Sequence, residues 1–478
     1  MSRFVFYLLP TVLAVWVLSV DASICQEPEA PSTVVTTELD KTCETDGLIS
    51  LREAILYAEE GGTVTFAETI PDGTVIQLKE GSLEIAKSLT VDASSVRGLT
   101  LDGCGKDRVF TVKAPTDETA VKLIGLVVTG GNKPGASGGG ISVEGGALTL
   151  ADMTLIENST TGYGGGIYMI QGSLTVTDSM FSGNHAEGYG GGICGFQSDL
   201  AVTGSTITGN SAGWDGGGIS CSEKAASIVK TRIAGNTTAW SGGGIATQSA
   251  EVAIADSFII GNSAGRNGGG MKINNSSSPA TAVTGSTIAG NSAKWSGGGI
   301  FSTRRFSVTG TTISENTADR DGGGFFNFGT LTLTQTVISE NSAELSGGGG
   351  YNNETLILRD TTVTGNFAAS GGGLATSQGS LSAAGSSITG NYAEGSGGGI
   401  CKTSGDLTMT DTSITENTAC AGGGIDVCGE LMLDNSIVES NHAEEGDVDI
   451  NTHECRGNRN AESVGPTAET PSGESISE

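Results

Sequence analysis

Residues 164–189 read GGGIYMIQGSLTVTDSMFSGNHAEGY, and residues 190–215 read GGGICGFQSDLAVTGSTITGNSAGWD. Each block opens with three glycines and an aliphatic residue. An alternating stretch follows, then an asparagine with an alanine two places later (Asn184 and Ala186, Asn210 and Ala212). The cassette recurs from about Gly138 to Asn441, with twelve triplets (Gly138 to Gly422), twelve asparagines (Asn158 to Asn441) and a period near 25. Self-similarity at this period is the mark of a solenoid, in which each unit buries its apolar face only against its neighbours. The one long spacing, 29 residues, holds an insert around Asn274 to Pro279.

Within a unit the hydrophobic period is two, as in Leu174-Thr175-Val176-Thr177 and Thr206-Ile207-Thr208. That is a strand with one face inward. Three short strands per unit, each followed by a turn, predict one coil of a parallel β-solenoid. Coils stack about 4.8 Å apart, so twelve make a rod of roughly 58 Å. Two or three more coils before Gly138 bring the total to about 14–15. Alanine after the asparagine predicts a tight inward corner. The asparagine suits a turn, because it tolerates a left-handed backbone and its amide can bond to the equivalents above and below. Asp152, Asp178, Asp256, Asp360 and Asp411 share a column with Gly204, Gly285, Gly310 and Gly385. A place open to both aspartate and glycine is a turn, not an acid–base site.

Composition agrees with a repetitive β-rich chain. Of 478 residues 77 are glycine and only 9 proline, and charged residues are 16%. The 24 Lys plus Arg against 53 Asp plus Glu give a net charge of −29, the wrong sign for a nucleic-acid partner. Residues 1–22 read as a signal peptide: Arg3, an apolar run from Phe4 to Val20, and small residues ending at Ala22. No other stretch is long and apolar enough to cross a bilayer as a helix, so the mature chain is expected outside the cytosol or at the cell surface, without a transmembrane segment. The nine cysteines form no zinc pattern. Export permits disulfides, most readily among Cys401, Cys420, Cys428 and Cys455, with the pairing left open. No cofactor is expected, and the acidity is compatible with weak, diffuse calcium binding.

The ends differ from the repeat. Ser50-Leu51-Arg52-Glu53 is a capping box that predicts a helix to about Glu60, stopped by Gly61-Gly62 and closing the rod's first coil. Residues 34–137 are read as this cap and the first coils, 138–450 as the glycine-rich repeat, and 451–478 as a disordered acidic tail. Strands are expected near Val64–Phe66, Val75–Leu78, Leu89–Val91, Leu99–Leu101, Val109–Val112 and Leu123–Val128.

Ile49-Ser50-Leu51-Arg52-Glu53-Ala54-Ile55 resembles the CSLREAI motif at the N-terminal end of many secreted bacterial β-helix proteins. The repeat resembles that of the chlamydial polymorphic outer-membrane proteins, which pair a GGA-aliphatic motif with FxxN. Phe181-Ser182-Gly183-Asn184 matches the second motif fully; elsewhere Ile or Val replaces Phe, and a third glycine replaces the alanine. The resemblance spans about 34 to 450. It implies an all-β fold, a single right-handed parallel β-helix of the pectin-lyase-like type, and an association with adhesion.

One column is not explained by architecture. Four residues after the repeat asparagines stand Gly162, Gly188, Trp214, Trp240, Arg266, Trp295, Arg320 and Leu345, with Tyr163 and Tyr189 one place further on. A core position would not alternate among Gly, Trp and Arg, so the column is expected to face solvent. The candidate ligand-binding residues are therefore Trp214, Trp240, Arg266, Trp295, Arg320, Tyr163 and Tyr189. Their rings can stack on sugars and their guanidiniums can engage carboxylates; the plain alternative is a cation–π ladder covering the turn. The functional expectation is an exported or cell-surface interaction protein, adhesin-like or polysaccharide-binding, with an extracellular polysaccharide or host or cell-surface component as partner. The first alternative is a secreted polysaccharide lyase or glycoside hydrolase, and the second a structural surface or matrix protein. No catalytic residue or metal site is assigned. Hydrolysis needs two carboxyls about 5–9.5 Å apart, whereas Asp215 and Asp321 lie four coils apart, about 19 Å. Lys272 and Arg266 are the best candidates for a lyase base, without an evident carboxylate cluster beside them.

Overall fold

The computed structural model describes residues 32–42, 46–248, 251–274, 281–445 and 448–452. The expected signal peptide and all but the first two residues of the expected tail lie outside them. Nearly every described element is a parallel strand. Strands gather into three long sheets of 29, 15 and 13 members that run the length of one right-handed β-helix of about 15 coils.

From Phe110 onward most coils carry four strands, not three, the fourth sheet position being filled only from Asn132. In one coil these are Ile141–Glu144, Ala147–Ala151, Thr154–Ile156 and Ser159–Thr160. The first two share the longest face and are separated by a bend at Gly145 and Gly146, both left-handed at φ 74° and 64°. In the next two coils the strand runs through the bend unbroken, as Ile167–Thr177 and Ile193–Thr203. The sequence reading merged the two halves because both alternate with the same period. In reverse, the single strand expected over Leu123–Val128 is cut at Gly125 (φ 70°), leaving Ala120–Ile124 and Val127–Thr129.

Register is one residue to its counterpart a coil later, as in Leu148↔Leu174 and Leu174↔Leu200. Inward positions therefore fall in file and build one continuous core, with Leu148, Leu174, Val202 and Ile228 all buried. Alanine after the asparagine is buried as expected: Ala186, Ala264 and Ala343 have at most 1% exposure.

The asparagines form a buried file. Each Nδ2 donates to the Oδ1 of the next asparagine at 2.8–3.0 Å, from Asn158 through to Asn441. The backbone N–H of Asn262 also donates to Asn291 Oδ1 at 2.9 Å, while its Nδ2 reaches Ile233 O at 3.0 Å. No amide group is left unpaired along the file, so burial costs little. Its last acceptor is Asp449, whose Oδ1 takes both Asn441 N–H and Nδ2. The left-handed backbone does not belong to the asparagine. It falls on the residue before, Glu157 (54°), Gly183 (64°) or Glu315 (57°), freeing the asparagine to point inward.

A second file, unforeseen from sequence, is made of hydroxyls. Ser179 N–H donates to Ser205 Oγ, Thr231 N–H to Ser257 Oγ and Thr361 N–H to Ser386 Oγ, at 3.1–3.2 Å. It sits one residue after the aspartate–glycine column. Asp152, Asp178, Asp256, Asp360 and Asp411 are all left-handed at 48–52°, and Gly204 and Gly385 repeat the conformation.

The cap is helix α1, Leu51–Tyr57, shorter than expected because Ala58 is already extended at ψ 137°. Ser50 Oγ accepts from Glu53 N–H at 3.1 Å and Glu53 Oε2 from Ser50 N–H at 2.8 Å, completing the capping box. Arg52 grips Asp40 through Nε and Nη2 and reaches the carbonyls of Gly81 and Ser82, pinning the cap to the first coils. At the other end Ile450–Thr452 is a strand, two residues into the stretch read as tail. Cys428 is disulfide-bonded, whereas Cys401 and Cys420, expected in the same cluster, are free thiols.

Candidate functional site

The glycine triplet shapes the site. Its first member turns left-handed (Gly190 at 67°, Gly242 at 70°), and a Cβ on the second would meet backbone at 2.4–2.5 Å, as at Gly191 and Gly243. Successive triplets thus stack backbone on backbone and project no side chains. They separate two rows of side chains along the rod, with this strip of stacked glycine backbone, the trough, between them. One row is the rim column; the other consists of outward residues on the long face.

The rim column is aligned by its main chain. Arg266 N–H donates to Trp240 O at 2.7 Å, Trp295 N–H to Arg266 O at 2.9 Å and Arg320 N–H to Trp295 O at 3.0 Å. Side chains follow suit. The Arg266 guanidinium lies 4.3 Å from the Trp240 ring centroid and 5.1 Å from that of Trp295, a cation between two indoles. Trp295 is 41% exposed and Arg320 is exposed, while Trp214, Trp240 and Arg266 are half-buried. Part of the ladder's indole surface is therefore spent on the guanidinium rather than turned to solvent.

Tyr163, Tyr189 and Trp214 form a separate cluster with centroids 5.0–6.0 Å apart, and Tyr168, which sequence reading did not single out, joins it 6.2 Å from Tyr163. Between the two groups the rim bond is replaced: Trp240 N–H donates to Thr238 Oγ1 at 3.3 Å, and the next residue, Ser241, donates its N–H to Asp215 Oδ1 at 3.0 Å. Burial, then the Asp215 charge, pushes the Tyr189 phenol up to about 12. Burial likewise pushes the Cys194 thiol, on the long-face row, up to about 12, so it is not a nucleophile.

Across the trough Lys272 reaches back two coils to Asp215, Nζ to Oδ2 at 2.7 Å. The expectation was of no carboxylate cluster beside Lys272, and the carboxylate it reaches is the single one of Asp215. The contact is possible because the long-face row carries Ser220 and Ala246 between, as the register Ser220↔Ala246↔Lys272 shows. Both Asp215 oxygens are thereby engaged. Beyond Lys272 the row becomes aromatic: Phe301 and Phe326 stack at 5.5 Å, Phe326 and Tyr351 at 4.9 Å, and Phe328 sets its edge against Phe326. Phe301, Phe326 and Tyr351 stand two places after their triplets, in a column whose mixed composition (Tyr168, Cys194, Ser220, Ala246, Lys272) hid it. Asp321, on the rim side, has its carboxyl raised by burial against the pull of Arg320. Among the described residues no group of three or more His, Cys, Asp or Glu is placed to hold a metal ion. No helix of the described residues is long and apolar enough to cross a membrane.

The profile of the Chlamydia polymorphic membrane protein repeat matches residues 178–195, which run from the turn aspartate through Asn184 to the next triplet. A solved structure, the Azotobacter vinelandii mannuronan C-5 epimerase AlgE6 A-module, aligns at 12% identity and TM-score 0.30, over 79% of this chain and 90% of that chain. No curated protein matches. The chain is a parallel β-helix whose residues 178–195 are similar to the Chlamydia polymorphic membrane protein repeat.

Proposed function

We propose that this protein is exported, displayed or released outside the cell, and binds an extended polysaccharide along the aromatic rim. The observation that carries the reading is the Trp240–Arg266–Trp295 sandwich, held in register along the rod with the Tyr163–Tyr189–Trp214 cluster ahead of it. Rings and cations repeating about every 4.8 Å suit a polymer of rings better than a compact ligand. Arg266 and Arg320 place two cations on the rim of an acidic chain, favouring sugars that carry carboxylates.

Oligogalacturonates are expected to quench the tryptophan fluorescence. Trp214→Ala with Trp240→Ala should abolish the saturable response, Trp295 remaining as reporter. A flat response across acidic and neutral oligosaccharides would sink the reading. The rival lyase requires a base free to take a proton, and Lys272 and Asp215 are engaged with each other. Incubation with polygalacturonate or alginate should therefore release no unsaturated ends; their absorbance appearing would favour the enzyme.

A further inference from the structure

The long face carries a second concavity, away from the rim, at the bend between its two half-strands. A cavity of about 760 Å³ is lined there by Asp117, Gln171, Gln197, Asp199, Glu223 and Lys224, with backbone from Gly146 and Gly172. These residues come from five successive coils, so the cavity is a groove about 19 Å long, parallel to the rod. A peptide strand would need pockets for alternate side chains, and the lining offers no apolar ones.

The chemistry narrows the occupant further. The Gln171 and Gln197 carboxamides and the Glu223 carboxylate make no hydrogen bond to other described residues, so their donors and acceptors are available. Three carboxylates against the one ammonium of Lys224, itself 3.9 Å from Asp199 in an exposed pair, make the groove net negative and repel anionic ligands. Carboxamides beside carboxylates supply the donors and acceptors that hydroxyls use, which suits an uncharged chain rich in hydroxyls. We propose that this groove binds a neutral glycan lying along the rod, at a site distinct from the aromatic rim. The inference shares the polysaccharide class of the rim reading but none of its residues.

The backbone supplies a clean test. Gln171 and Gln197 sit at left-handed φ of 61° and 50°, and the position in register with Gln171 one coil earlier is glycine, Gly145 at φ 74°. Gln171→Gly with Gln197→Gly therefore removes the carboxamides without backbone strain. The full chain would be titrated calorimetrically with neutral hexasaccharides of glucose, xylose, mannose and galactose, and with hexagalacturonate. At least one neutral hexasaccharide is expected to bind. The double glycine variant should weaken it tenfold or more with an unchanged or higher melting temperature, and Trp214→Ala with Trp240→Ala should leave its Kd unchanged. Failure of every neutral hexasaccharide to bind overturns the proposal, as does binding indifferent to the glycine pair. A loss confined to the tryptophan variant overturns it too, while upholding the rim.

Discussion

Of the polar files inside this rod, the asparagine file and one at the long-face bend differ most in completeness. The asparagine file spans twelve coils and ends on Asp449 with every amide paired. The file at the long-face bend spans only Ser302, Asn327, Asn352, Thr376 and Lys402, all with at most 1% exposure. Asn327 Nδ2 donates to Asn352 Oδ1 at 2.7 Å and to Gly329 O, but Asn327 Oδ1 and Asn352 Nδ2 have no partner. Its far end is the Lys402 ammonium, held by the carbonyls of Gly379 and Ser404. A polar file is stabilising when the same residue repeats, since each amide then supplies what its neighbour lacks. A mixed file cannot close its own pattern.

The sharpest way to break the comparison is to interrupt each file once. Asn262→Ala strands the Asn236 N–H, part of its Nδ2 and the Ile233 carbonyl. It should cost roughly 3 kcal/mol, since each buried unpaired group costs about 1–3. Asn352→Val removes one bond from a pair already half-unsatisfied and should cost about 1 kcal/mol. Urea unfolding of both variants checks the ranking; equal losses would mean that completeness is irrelevant.

These files also show what was legible beforehand. The asparagines announced themselves because one residue type recurs at one spacing, and a corner of fixed shape accepts little else. The bend file and the long-face aromatics were illegible for the opposite reason: Ser302, Asn327 and Lys402 share a place but no chemistry, so no pattern marks them. Misplacing the left-handed turn on the asparagine came from weighing its own tolerance for that conformation. The buried amide has its own hydrogen bonds to make, so the preceding Glu or Gly takes the strained backbone. For the rim, periodicity predicted which residues align but not that Arg266 would be enclosed, because ring orientation is not a sequence property.

Lys402 sharpens the contrast through pH. Burial lowers its ammonium to about 8, with the Asp406 charge opposing. A base whose folded pKa lies below its unfolded value of 10.5 binds fewer protons when folded, so stability climbs with pH above about 8. The buried thiols act oppositely. Cys194 and Cys221 are raised from 9.0 to about 12 and Cys401 to about 11, so the unfolded chain ionises first and stability falls above about 9. The window for Lys402 alone is therefore pH 8 to 9, worth at most about 1.4 kcal/mol. Unfolding midpoints should peak near pH 9, and Lys402→Met should remove the rise while keeping the fall. A rise that survives in the variant would assign it to another group.

The smallest effect is expected at the rim, where a file faces water instead of the core. Arg266→Ala removes a cation lying between Trp240 and Trp295, a half-buried contact worth about 1 kcal/mol or less. Neighbouring coils keep their main-chain bonds, so the melting temperature should fall by only a few degrees, if at all. The fluorescence should change more than the stability, because both indoles lose a charge against their faces. If instead Arg266→Ala destabilised the rod as strongly as Asn262→Ala, the rim would be a structural ladder, and its exposed rings would be no argument for a ligand.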